Sequence, residues 1–147
     1  MSDTENKKVF IDTSVIIAAI LSESGGSFYI LTQFHKDYKF LINKFVLDEV
    51  EEVVDKKFDG SSEMYENLFL LMSIASIKVL PNPPKKKLDE LNNVISKKDR
   101  PILSSAINNA NYLITLDKEF LNEKVSKFVE DKNLKITRPK EFIENHS

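Results

Sequence analysis

Apolar residues in this chain fall into two arrangements that alternate along its length. The first is the short, mainly apolar run, unbroken in Val9-Phe10-Ile11 and Phe40-Leu41-Ile42 and interrupted once in Ile77-Lys78-Val79-Leu80, Tyr112-Leu113-Ile114-Thr115-Leu116 and Leu134-Lys135-Ile136. Runs without a polar residue at every second place predict parallel strands covered on both faces. The second arrangement has helical spacing and predicts helices over residues 15–21, 28–37, 46–58, 64–74, 85–95, 102–110 and 139–144, with another inside 118–128. Ser24-Gly25-Gly26-Ser27, Asp59-Gly60-Ser61-Ser62 and the prolines at 81, 83 and 84 break these patterns into elements. Strands alternating with helices predict a three-layer α/β/α sandwich around a central, mainly parallel sheet of about five strands. No repeat, low-complexity tract or linker divides the chain, so one domain is expected over residues 1–147.

The junctions carry the chemistry. Asp12 ends the first apolar run and opens a helix, and Asp117 stands at the same place after the fourth run. Asp99 opens the helix that leads into that fourth strand, with Pro101 in its first turn. Taken singly, each aspartate reads as a helix cap contributing about 1 kcal/mol. The helix over 46–58 carries four acids in its first seven residues. Asp48 and Glu52 fall opposite its apolar stripe, while Glu49 and Glu51 lie on its two flanks. The helical wheel does not choose between the last two, although Glu49 lies nearer the helix start.

Composition narrows the possible chemistries. The 147 residues are 41% hydrophobic and 30% charged, as expected of a globular domain. No cysteine is present, which removes thiolate zinc sites, disulfides and cysteine nucleophiles. The two histidines, His35 and His146, leave little for histidine metal sites or hydrolase triads; His35 reads as surface and His146 as tail. Three glycines and no glycine-rich motif leave no phosphate-binding loop. The polar opening residues 1–8 hold no signal-peptide core, and the apolar run over 15–21 is too short to cross a bilayer. A cytoplasmic protein without a membrane segment is expected. A net charge of −2 gives no overall attraction to nucleic acid.

In a doubly wound sheet, strand ends and the starts of neighbouring helices converge on one edge. Carboxylates gathered there repel by about 3 kcal/mol per ionised pair at about 5 Å, for an effective dielectric near 20. A hard divalent cation offsets that repulsion, because Mg²⁺ and Mn²⁺ take oxygen ligands and retain waters. Such ions support phosphodiester hydrolysis without histidine or cysteine.

Five segments bear a family resemblance. Phe10-Ile11-Asp12-Thr13-Ser14-Val15-Ile16-Ile17 resembles the first motif of PIN-domain nucleases, and Val46-Leu47-Asp48-Glu49-Val50 the second. Lys98-Asp99 with Ile102-Leu103-Ser104-Ser105-Ala106 is similar to the third, and Tyr112-Leu113-Ile114-Thr115-Leu116-Asp117-Lys118-Glu119-Phe120 to the fourth. Ile136-Thr137-Arg138-Pro139-Lys140-Glu141-Phe142-Ile143 resembles the family's closing strand and helix, so the likeness spans about residues 8–144.

The resemblance implies that Asp12, Glu49, Asp99 and Asp117 are the catalytic and metal-binding set. It selects Glu49 over Glu51, names Mg²⁺ or Mn²⁺ as cofactor and implies endoribonuclease activity. Ser14, where many members carry Asn, and Thr115 would orient the carboxylates by hydrogen bonding. RNA is the implied substrate, with a small antitoxin protein as a possible partner and a homodimer as a possible assembly. Lys97, Lys98 and Arg100, beside Asp99, are the candidate RNA-binding cations; Lys85-Lys86-Lys87 is a second basic cluster. The alternative is a non-catalytic module of the same fold that binds RNA or protein. Two other phosphoryl-transfer folds fit less well. A dehalogenase-like phosphatase would need an acid where Ser14 stands, and a receiver domain an acidic pair near the first strand end.

Overall fold

A computed structural model describes residues 7–146. The opening residues 1–6 and the extreme ends of the expected domain lie outside the described residues. Five strands form one sheet: β1 (Lys8–Ile11), β2 (Lys39–Asn43), β3 (Lys78–Leu80), β4 (Tyr112–Ile114) and β5 (Lys135–Thr137). All neighbouring pairs are parallel, and the order is β3-β2-β1-β4-β5. The chain builds outward from β1 in one direction, then returns to place β4 on its other side. Strand order therefore reverses between β1 and β4.

The helices are α1 (Thr13–Leu21), α2 (Gly26–Gln33), α3 (Lys44–Lys57), α4 (Ser62–Ile74), α5 (Lys85–Asp89), α6 (Arg100–Asn109), α7 (Glu123–Val129) and α8 (Pro139–His146). Helices α1 to α4 pack on one another and α8 lies against α2, while α6 packs on β1 and β4 with α5 beside it. The result is the expected α/β/α sandwich. Val9, Phe10 and Ile11 of β1 are 0% exposed, as their unbroken apolar run requires for the central strand. At the sheet margin β3 is mostly exposed.

Several boundaries differ from the sequence pattern. The fourth strand stops at Ile114, because Thr115 and Leu116 leave the β1 ladder and Leu116 turns outward. The amphipathic stretch 85–95 is helical only to Asp89. Beyond it, successive turns bury Leu91 and Ile95, while Leu88 and Val94 are half-buried. Residues 118–128 divide into a 3₁₀ turn over Lys118–Leu121 and α7, where Asn122 accepts from the Val125 N–H and caps the new helix. Helix α2 ends at Gln33, short of Asp37.

Asn43 settles how α3 begins. Its Oδ1 accepts from the Val46 N–H at 2.9 Å, and its Nδ2 donates to the Pro101 carbonyl and the Ser105 hydroxyl. One buried amide thus caps α3 and ties it to α6. His146 is no loose tail. Its ring stacks on Phe142 at 4.3 Å between centroids, and its Nε2 lies 3.2 Å from the Tyr112 hydroxyl. Phe34, Tyr38 and Tyr112 complete this aromatic cluster by edge-to-face contacts with Phe142. His35 is half-buried rather than a surface residue.

Candidate active site

Asp12 directly follows β1 and Asp117 stands just past β4, so these two carboxylates flank the place where strand order reverses. In open α/β sheets that crevice, outside the carboxyl ends of the strands, is where ligands bind. The Asp12 N–H donates to the Ile114 carbonyl at 3.1 Å, which fixes the two strand ends against each other.

Asp12 occupies the N-cap position of α1, yet its carboxylate does not cap that helix. It is 3% exposed, and its Oδ2 accepts hydrogen bonds from the Ser14 hydroxyl at 2.6 Å and the Thr115 hydroxyl at 2.7 Å. Both hydroxyls also accept from the backbone, Ser14 from the Leu116 N–H and Thr115 from the Asp117 N–H. Each hydroxyl's single proton is thereby directed at Asp12. Ser14 and Thr115 thus both hold the same oxygen of Asp12.

Asp99 does not cap α6 either, contrary to the sequence reading. It ends a 3₁₀ turn (Lys97–Asp99), is 5% exposed, and its Oδ2 accepts from the Ser96 hydroxyl at 2.8 Å. Asp117 does act as a cap, accepting from the Glu119 N–H at 3.0 Å. Glu49, half-buried on α3, accepts from the Thr13 hydroxyl at 2.6 Å. Sequence reasoning missed Thr13 and Ser96. A hydroxyl adjoining Asp12 and another three residues before Asp99 were the available signals, but their targets depend on how the elements meet.

The four acids share one electrostatic field. Burial pushes the Asp12 carboxyl up from its ordinary range despite its two hydroxyl donors, and the charge of Asp117 pushes it further. Burial likewise raises Glu49, opposed by Thr13, with further upward pushes from Asp12 and Asp99. Asp99 is raised by burial, then by Asp117 and Asp12, against the Ser96 hydrogen bond. The positive charge of Lys98 pulls both Glu49 and Asp99 downward, against the effect of burial. Lys97 is exposed on the same turn. Arg100 is committed elsewhere: its Nε donates to the Ile95 carbonyl and its Nη2 to the Asn92 carbonyl, bracing the 92–95 turn.

Among the described residues no three of these carboxylates, as they stand, are close enough to encircle one ion. The donor chemistry nevertheless fits a hard divalent cation. All four groups are oxygen donors, Asp12, Glu49 and Asp99 each have one carboxylate oxygen held by a hydroxyl, and burial with like-charge repulsion favours neutralisation.

A family model described as PIN domain matches residues 8–119. The chain belongs to the PIN-domain family, whose members are generally nucleases. Solved structures agree on the fold. A chain of VapBC2 from Rickettsia felis, crystallised bound to a DNA fragment from the promoter, superposes with a TM-score of 0.61 at 19% identity, covering 89% of this chain and 98% of that one. PAE2754 from Pyrobaculum aerophilum superposes with a TM-score of 0.58 at 22% identity, covering 84% and 93%. Among curated proteins, none matches.

Proposed function

We propose that this PIN domain is a metal-dependent endoribonuclease. The observation that carries the reading is the convergence of Asp12, Glu49, Asp99 and Asp117 at the strand-order switch, with Asp12, Glu49 and Asp99 oriented by hydroxyls. Structural capping alone does not account for it, since Asp12 and Asp99 cap nothing and are destabilised by burial and by one another.

Asp12, Glu49, Asp99 and Asp117 would hold Mg²⁺ or Mn²⁺. When bound, such a cation supplies an acidified water and neutralises charge on the phosphodiester. The chain's own work is positional. Ser14 and Thr115 hold one oxygen of Asp12, Thr13 holds Glu49 and Ser96 holds Asp99, so each of these carboxylates keeps its other oxygen for the cation. Lys98 stands beside the cluster to attract the phosphate backbone, and exposed Lys97 extends that positive edge. Arg100 contributes by bracing the 92–95 turn, which leads into the turn that carries both lysines.

The decisive variant is Asp12→Asn, assayed on mixed RNA with Mg²⁺ or Mn²⁺. Cleavage should fall by at least ~100-fold while the fold persists. Cutting at the wild-type rate would sink the cluster reading. A second reading, a non-catalytic module that binds RNA or protein, draws on the separation of the carboxylates. It predicts no metal-dependent cleavage from the wild-type protein. A toxin role with a small antitoxin partner, a homodimeric assembly and a cytoplasmic location belong to the same proposal. Copurification with the product of a small adjacent gene tests the first.

A further inference from the structure

Beside the carboxylates the sheet edge carries a second surface that the metal chemistry does not use. Leu116 lies between Thr115 and Asp117 and is 43% exposed, a large apolar side chain in solvent at the edge of an acidic site. It belongs to a cleft of about 690 Å³ whose apolar walls include Ala18 of α1 and Pro139 and Ile143 of α8. Gly25 and Gly26 close it on the α2 side. A Cβ on Gly26 would meet Ile143 Cδ1 at 3.3 Å, so glycine lets α2 approach α8 there.

Two links tie the cleft to the acidic cluster. The Leu116 N–H donates to the Ser14 hydroxyl, which itself donates to Asp12, so the cleft wall and Asp12 share one side chain. The Thr115 N–H donates to the Thr137 carbonyl, which places Arg138 alongside this same segment. Arg138 and Lys140 line the cleft, are exposed and form no salt bridge among the described residues. Glu141 lines it too, leaving two cations against one carboxylate.

We propose that this cleft is a nucleotide subsite for single-stranded RNA, with an unstacked base on the Leu116–Ile143 surface and Arg138 on an adjoining phosphate. The inference rests on the reading of the carboxylate edge as an RNA-cutting site. An unpaired base offers a flat, poorly hydrated face that an apolar wall can cover, whereas a duplex hides those faces in its stack. The neighbouring sugar–phosphate supplies the negative charge that Arg138 and Lys140 complement. Since Arg100 is already engaged with backbone carbonyls, Arg138 and Lys140 add to the positive charge that Lys97 and Lys98 present.

Binding in chelator isolates this surface from catalysis. Fluorescence anisotropy with a labelled single-stranded RNA should show Leu116→Ser and Arg138→Gln each weakening binding by about 10-fold. Arg138→Gln should also reduce the slope of log K against log salt by about 0.7, one phosphate contact on a single strand. Lys39→Gln removes the same charge at the opposite end of the sheet and should leave the slope unchanged. Melting temperatures matching the wild type show that Leu116→Ser and Arg138→Gln are folded. Wild-type affinity in both cleft variants, or no binding by the wild-type protein, overturns the subsite. Weakened binding in these variants without any metal-dependent cleavage by the wild type keeps the subsite and removes the nuclease reading. Cleavage that depends on Asp12 but ignores both cleft residues does the reverse.

Discussion

Glu49 and Glu51 are two residues apart on α3, and the fold sends them to different neighbours. Glu49 meets the Thr13 hydroxyl and feels Asp12, Asp99 and Lys98. Glu51 lies toward α4, where its carbonyl accepts from the Tyr65 hydroxyl. In a Mn²⁺ titration, Glu49→Gln should therefore weaken binding by at least ~10-fold while Glu51→Gln leaves it near wild type. Equal effects would show that the helix face has been misassigned. Tyr65 provides a pH test away from the site. Its hydroxyl donates to Asp55 Oδ1 at 2.6 Å, and that hydrogen bond raises its pKa to about 12. The raised pKa means this contact stabilises the fold fully below the ordinary tyrosine value of 10.0 and is lost as pH rises through about 12. Ultraviolet titration should find one tyrosine ionising near the raised value in the wild type and nearer the ordinary one in Asp55→Asn.

At the scale of elements, α8 is the piece whose importance the sequence least advertises. The family match ends at residue 119, yet Phe142 of α8 is fully buried among Phe34, Tyr38, Tyr112 and His146. This cluster joins α2, β4 and α8 on one aromatic side chain. Phe142→Ala should cost about 3–5 kcal/mol in denaturant unfolding, as expected for a large buried ring removed from a packed cluster. A loss below about 1 kcal/mol would mean that α8 is an appendage. The short amphipathic helix α5 shows the opposite case. Its apolar spacing continues to Ile95, but Arg100 holds the Ile95 and Asn92 carbonyls in a turn and ends the helical path.

For the whole molecule, the carboxylate cluster costs stability, and under the proposed nuclease reading it sets function against stability. Asp12, Glu49 and Asp99 are all raised above their ordinary values of 3.8, 4.5 and 3.8. A carboxyl raised by folding contributes stability that is complete below its unfolded pKa and is lost as pH rises through the folded value. In chelator, Asp12→Asn should therefore match the wild type near pH 4 and exceed it increasingly toward neutral pH. The gain is about 1.4 kcal/mol for each unit by which Asp12 is raised. Mn²⁺ should raise the wild-type melting temperature and narrow that gap. A variant less stable than the wild type at neutral pH in chelator would contradict the linkage. The other pole of the molecule carries a different charge pattern. Lys8 and Lys39 are paired in register at the start of β1 and β2, far along the strands from Asp12.

The alternation of mainly apolar runs with helical spacing determined the layer architecture and the parallel sheet, because burial on both faces leaves no polar residue to alternate. Asp12 and Asp117 were legible as junction acids for the same reason: a polar residue that ends an apolar run is visible without a fold. What the carboxylates do was decided by tertiary structure. The local sequence of Asp12 is that of a cap, and only the fold brings the Thr115 hydroxyl, from a distant segment, onto its carboxylate. The pairing of Thr13 with Glu49, 36 residues apart, and the commitment of Arg100 to backbone carbonyls are likewise properties of packing. Periodicity sets which face of an element is buried, but contacts between elements decide which partner each polar side chain finds there.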